Sequence, residues 1–474
     1  MTLRKIFAGF FLGSFFILSG QHQEVPERPN IWRGKQKELV DTTSLLGAFR
    51  GGTTHGHFRY MFMSTHNQGD LQDFAANAAG GGLRFESARF HGFKMGVSGF
   101  YIFNVGSYNL QNPDPRTGSL SRYEIALFDI TDVHNTEDMD RLEELFINYR
   151  WGRTEIAYGK ILLNTPFINL QDGRMRPTGV EGLYVHTEVN ERTKLEGGFI
   201  HGFSPRSTIR WYNTGESIGV HPLGFDVFGQ PSRYRGNVRS SGVGILGIHQ
   251  NLGKNWDMHA WNFFIENVMN TAMFQFDAKY PRNHSESWIL GFQALAQHGV
   301  GNGGNAEPEL AYAPPNHQAY TFGGRIGWKS SSWTSSLNFN RITGHGRYLH
   351  PREWGREFFY SFIPRERSEG MGDLTAVSTK ILYQKPKSNL KTELAVGYVQ
   401  TPHPENHALN KYGIPTYTHI NLDFHYDHKG PLKGLETSLL LMTKILSTND
   451  PVPVHFIMNR VNLFHTTLAL NYHF

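Results

Sequence analysis

The chain reads as an all-β protein, a transmembrane antiparallel β-barrel of about 18 strands with long outside loops and short periplasmic turns, and three observations predict it. In the last strand Phe464, Leu468, Leu470, Tyr472 and Phe474 alternate with His465, Thr467, Ala469, Asn471 and His473. That period of two puts an apolar face on one side and a polar face on the other. Mean hydropathy is −0.43 and, past the first residues, no long apolar run occurs, which excludes a helical membrane protein. Short and long connections follow each other in turn along the whole chain, the pattern of a barrel that crosses a bilayer.

Residues 1–20 read as a secretory signal peptide. Arg4 and Lys5 precede an apolar or small stretch from Ile6 to Leu18, followed by Ser19 and Gly20. The stretch falls short of the roughly 20 apolar residues that span hydrocarbon, and polar Gln21-His22-Gln23-Glu24 follows at once. There is no cysteine, hence no lipid-anchored start and no disulfide. Aromatics make up 14 % and glycine 51 of 474 residues, with apolar residues dispersed rather than blocked. Strands that face lipid on one side and water on the other dilute hydropathy in this way. A terminal aromatic on such a strand resembles the closing strand of a bacterial outer-membrane barrel, which sets the expected location and implies the barrel insertion machinery as a partner.

Strands are expected near 55–66, 78–91, 93–106, 141–152, 153–164, 179–189, 193–205, 240–252, 256–268, 270–280, 287–299, 319–331, 333–344, 373–384, 389–400, 418–428, 432–446 and 460–474. The clearest is His419 to Asp427, in which every second residue is apolar. Turns such as His91-Gly92, Gly152-Arg153, Gly253-Lys254-Asn255 and Lys429-Gly430-Pro431 interleave with long segments at 107–140, 165–178, 206–239, 300–318, 345–372, 401–417 and 447–459. The connections at 67–77 and around Asn270 are shorter than the rest and leave the register least defined. An even count returns the chain to the side where it began. Residues 51–474 are thus assigned to the barrel and 21–50 to a periplasmic N-terminal segment. A cylinder of this size is too wide for its own side chains to fill. About 30 residues are too few for a plug with its own core, so an open channel narrowed by loops is expected.

Two loops resemble a family at residue level. Gly159 to Gly182, containing Asn164-Thr165-Pro166 and Asp172-Gly173-Arg174-Met175, looks like the third outside loop of the OprD family of substrate-specific porins. Pro351 to Tyr360 and Ile363 to Gly370 are similar to its seventh outside loop. The resemblance implies that both loops fold inward to form a constriction whose arginines conduct small carboxylate-bearing solutes. It gives that role to Arg174, Arg176, Arg352, Arg356, Arg365 and Arg367, with Asp172 beside them.

The chemistry follows from the residue type. A guanidinium stays charged at any working pH and its planar fork matches a carboxylate, so a row of them can pass an anion along. Weak multiple sites permit release. Asp172, Glu353, Glu357, Glu366 and Glu369 lie among these arginines and admit two readings. They either neutralise and orient the arginines, or form an acidic side that gives a transverse field selecting zwitterions as well. Arg150 and Arg325 fall on the water face of their strands, where a transport role and a solvated wall role are both open. Arg341 shares parity with Leu337 and Phe339 and is placed at the rim. Tyr60, Tyr149, Trp151, Trp256, Trp333 and Tyr472 are candidates for interfacial girdles.

Other motifs are set aside. Gly242 to Gly247 fits a dinucleotide fingerprint but sits in a strand with no helix to receive a pyrophosphate. Gly215 to Gly219 fits a nucleophile elbow but lies in a long loop. His55 and His57 have no third metal ligand nearby. With 46 basic and 41 acidic side chains and no basic run with interleaved aromatics, nucleic acid is not an expected partner. The reading is a passive outer-membrane porin, monomeric or loosely oligomeric, without cofactor or metal, for small anionic or zwitterionic solutes. A barrel-borne lipase or protease and a non-conducting adhesion barrel are the rivals.

Overall fold

The structure, a computed structural model, describes Trp32 and residues 42–135, 137, 139–170 and 173–474. The expected signal peptide, most of the N-terminal segment and Asp172 lie outside these residues.

Nineteen strands form one antiparallel sheet. They are β1 Thr53–Asn67, β2 Phe74–Glu86, β3 Phe93–Tyr108, β4 Met139–Trp151, β5 Thr154–Ile161, β6 Gly179–Glu188, β7 Thr193–Ser204, β8 Tyr212–Asn213, β9 Val243–Asn251 and β10 Trp256–Ile265. There follow β11 Met269–Pro281, β12 Ser287–Gly299, β13 Gln318–Lys329, β14 Trp333–Ile342, β15 Leu374–Tyr383, β16 Leu390–Gln400, β17 Tyr417–Asp427, β18 Leu435–Leu446 and β19 Leu463–His473. β8 is a two-residue pairing inside a loop. The remaining 18 close on themselves, because β19 lies against β1 in register from His57 opposite His473 to Asn67 opposite Leu463. At the seam Phe474 and Gly56 exchange backbone hydrogen bonds of 2.8 and 3.1 Å, and the Phe474 ring occupies the space a Cβ at Gly56 would need.

The alternation sorts side chains as the sequence implies. Leu83, Phe103, Leu145, Ile147, Phe199, Phe292, Leu337 and Phe339 are exposed on the outer wall, while their neighbours in sequence point into the lumen. At the short-turn end, Trp151, Trp256, Trp333 and Tyr472 are exposed, and Phe93–Tyr149 and Trp333–Tyr383 ring pairs at 4.6 and 4.5 Å build an aromatic girdle there. Tyr60 does not belong to it, since it lies mid-strand between Ala79 and Leu470 and donates to Asn77.

Differences from the expected elements are local. β2 begins and ends earlier than 78–91, because Thr42 and Ala48 of the N-terminal segment bond the backbone of Arg89 and Ala88 beside the hairpin. The turn itself falls at His91-Gly92, both with positive φ, the geometry two-residue hairpin turns favour. Asn270 lies inside β11, and the chain reverses instead at Glu266 to Val268, with Asn267 at φ 59°. Residues 460–462 precede β19, which places Arg460 in a loop.

Loops occupy much of the lumen. The segments 162–178 and 343–373 carry Phe167, Tyr348, Trp354, Phe358 and Phe359, all buried in one cluster with Phe203 and Phe263 of the wall. The Trp354 ring stacks on Phe203 at 4.2 Å and Phe167 on Phe263 at 4.7 Å. Burying such rings, at about 25 cal/mol per Å² of apolar surface, outweighs their exposure in a water-filled lumen, so the loops fold inward.

Candidate functional site

The third and seventh outside loops, 162–178 and 343–373, lock together. Asn169 accepts from the Arg356 backbone at 3.0 Å and donates to its carbonyl at 2.8 Å, while Thr178 donates to the Glu353 carbonyl at 2.6 Å. The approach requires a glycine at 355, where a Cβ would stand 2.9 Å from the Asn169 backbone nitrogen. The seventh loop is tied to the wall by Gln297 to the Leu349 carbonyl, Gln293 to that of Phe358 and Asn421 to that of Pro364, at 2.7, 3.0 and 3.0 Å. Arg365 follows Pro364 with φ 82°, a conformation costing a non-glycine residue about 1–3 kcal/mol. Its guanidinium reaches Thr467 of β19 at 3.1 Å.

Between these loops and the second, fourth, eighth and ninth lies a cavity of about 420 Å³. Arg174, Arg352, Arg365 and Arg367 line it, together with Arg122, Arg206, Arg235 and Arg460. Glu366 is the one carboxylate at its border among the described residues. Apolar side chains complete the lining, among them Ile125, Ala126, Ile130, Val133, Val220 and Phe362.

The carboxylates of the seventh loop have partners of their own. Glu366 accepts from Arg122 at 3.0 and 3.2 Å and from Lys444 at 2.8 Å, which holds its carboxyl far below the usual carboxylate range despite burial. Glu369 meets Arg352 at 3.2 Å and Tyr412 at 2.9 Å. Glu353 accepts the backbone N–H groups of Gly219 and His221 at 2.9 and 3.0 Å. Glu357 accepts those of Ser368 and Glu369, and burial pushes it up to about 7. Two of these four carboxylates pair with arginines and two cap loop backbone, so they do not form an acidic face across the cavity.

Arginines divide accordingly. Arg176 does not line the large cavity. It is buried against the wall, where its guanidinium forks onto Glu143 and lies 4.8 and 4.4 Å from the Trp32 and Phe100 rings. Arg356 is buried within the seventh loop, 4.9 Å from the Phe362 ring. Arg325 points inward from β13 onto Asp277 at 2.8 Å, under Tyr360. Arg150 lies at the short-turn end of β4, exposed, with Glu155 at 2.6 Å. Arg341 sits at the outer end of β14 against Asp373.

Sequence reasoning did not single out Arg122, Arg206, Arg235 and Arg460. Their one signal is membership of outside loops, and nothing in the sequence distinguishes an inward loop from a solvated one. Ser217 follows a two-residue strand and ends a four-residue helix, and its buried hydroxyl donates to the Thr214 carbonyl at 2.8 Å and accepts from the Trp354 indole at 2.9 Å, so this serine is not an exposed nucleophile. His57 is engaged by Asn471 and Arg176 at 3.1 and 3.0 Å.

A closed 18-stranded barrel narrowed by inward loops defines an outer-membrane channel. The chain belongs to the OprD family of outer membrane porins, whose model matches residues 51–348. The seventh-loop motif at 351–370 lies beyond that match and stands on its own. Crystal structures of Pseudomonas aeruginosa OccD3 (OpdP) and Acinetobacter baumannii OccAB3 share the fold, with TM-scores of 0.67 and 0.70 at 14 % and 15 % identity. These alignments cover 92 % and 89 % of this chain and 95 % and 99 % of theirs. P. aeruginosa OpdK, crystallised with vanillate, superposes with TM-score 0.67 at 14 % identity over 90 % of this chain and all 100 % of its own. No curated protein matches the chain in sequence. The protein is therefore a porin of the outer membrane through which small solutes pass.

Proposed function

We propose that this porin favours small solutes bearing a carboxylate, passing them through the arginine-lined cavity formed by its inward loops. The observation that carries the reading is the imbalance at the cavity border, where among the described residues eight arginines stand against Glu366. In a partly dehydrated site each unbalanced charge acts over a longer range than in bulk water, so anions are drawn in and cations repelled. Vanillate, the ligand crystallised with OpdK, is itself a carboxylate. Residues 1–20 are removed on export, 21–50 remain periplasmic, and the insertion machinery reads the terminal Phe474 strand; transport needs no catalysis.

The test is the reversal potential of purified channels across a salt gradient. Wild type is expected to favour anions, and Arg174→Gln with Arg365→Gln to lose most of that preference. Lys385→Gln with Lys387→Gln, in an exposed periplasmic turn, should leave it unchanged. A cation-selective wild type would overturn the reading while leaving the porin fold intact.

A further inference from the structure

The cavity holds more positive charge than one carboxylate can balance. Arg174 and Arg206 are 7 % and 5 % exposed and both line it. The Arg174 guanidinium donates to the carbonyl of Gly173, and its Nε is buried without a partner. Arg206 has a 3.4 Å contact to the Arg352 carbonyl, and its Nε is likewise unmet. Arg365 reaches Thr467, with Nε again unmet. None of the three has a carboxylate partner among the described residues. The nearby acids are committed: Glu366 to Arg122 and Lys444, Glu369 to Arg352 and Tyr412, and Glu124 to Thr65, Ser121 and His465. Burial, with the charges of Arg365 and Arg367 behind it, brings Arg174 down to about 9, and burial with Arg367 and Arg174 lowers Arg206.

A guanidinium held in a protein cavity with only neutral acceptors costs free energy that a bound anion recovers. Three of them facing one space remain doubly positive after a single carboxylate has docked. The apolar side chains of Ile125, Val133, Val220 and Phe362 in the same lining, the apolar wall of the cavity in that sense only, give a carbon chain surface to lie on. We infer that the cavity is a binding site for small dicarboxylates, with the two carboxylates shared among Arg174, Arg206 and Arg365 and the linking methylenes against the apolar wall. The inference rests on the carboxylate reading above and names the charge and shape of the solute that the site holds best.

Inhibition of chloride current through single channels in planar bilayers at pH 8 tests it, with glutarate, its monomethyl ester, butyrate and inorganic phosphate as probes at matched ionic strength. Glutarate should halve the current at a concentration about tenfold below that of the ester or butyrate, the equivalent of one further charge pair. Phosphate, which has no apolar part, should fall short of glutarate. Arg174→Gln with Arg206→Gln should abolish the gap between glutarate and its ester. The ester comparison needs no variant and stands even if the double substitution fails to insert. Equal potency of glutarate and ester in an anion-selective channel overturns this inference and leaves the carboxylate porin standing. Phosphate matching glutarate overturns the dicarboxylate assignment, whereas cation selectivity removes both readings together.

Discussion

Arg174 and Arg176 are two residues apart in one loop and sit in opposite electrostatic surroundings. Arg176 forks onto Glu143, which also takes Arg141 at 2.7 Å, in a buried cluster against the wall. Arg174 faces the cavity with other arginines for neighbours and a single backbone acceptor. Same residue type, same loop and similar burial therefore serve two ends. A guanidinium with its carboxylate fixes architecture, and one without it is available to a solute. Among the described residues, the position of Glu143 on β4 decides which arginine is which.

The largest effect is expected at Glu143. Glu143→Gln strands two buried guanidiniums, and removing one partner of a buried ion pair costs about 3–5 kcal/mol. Folded barrel, read as the heat-modifiable band on a gel after urea titration, should fall sharply. If it does not, the wall cluster is not what separates the two arginines.

The seventh loop offers a second contrast, between Glu357 and Glu366. Burial raises Glu357 from 4.5 to about 7, so the folded loop keeps a proton that the released loop gives up. The Glu357 contribution to docking is then full at and below about pH 4.5 and weakens as pH rises to about 7, by roughly 3 kcal/mol at most from 1.4 kcal/mol per pH unit. Glu366 is depressed, so its contribution is present above the ordinary carboxylate range and lost as pH falls below it. Protease sensitivity of the 343–373 loop should accordingly pass through a minimum with pH. Glu357→Gln should remove the rise on the alkaline side, and Glu366→Gln the rise on the acid side.

Arg174→Gln should act on selectivity rather than on stability. It removes a buried charge that has no carboxylate partner among the described residues, so stability should change by no more than about 1 kcal/mol, in either direction, while anion preference falls. A stability loss as large as that of Glu143→Gln would make Arg174 a structural residue. The smallest effect is expected at Arg150. It is exposed and paired with Glu155 at the short-turn end, and Arg150→Gln should cost about 0–1 kcal/mol and leave the reversal potential unchanged.

The wall was legible in the sequence, because a strand between lipid and water must alternate every second residue and one misplaced residue reverses both faces. The run from His419 to Asp427 and the closing strand to Phe474 announce themselves on that ground alone. β2 was read four residues late, since its Ala-Ala-Gly-Gly-Gly stretch carries little amphipathic contrast. The loop motifs located Arg174, Arg352, Arg365 and Arg367, which do border one cavity, and also Arg176 and Arg356, which do not.

Periodicity in the sequence was enough for the barrel and for most of its strands, because alternation is a local signal; the arginine loops came from a resemblance of two motifs and not from any period. Which arginines meet a carboxylate depends on tertiary contacts. Glu143 reaches Arg176 across 33 residues and Glu366 reaches Arg122 across 244, contacts for which no periodic signal exists. Loop placement depends on which rings find a seat on the wall, as Trp354 does on Phe203 and Phe167 on Phe263. That is a property of the closed cylinder, not of any segment of the chain.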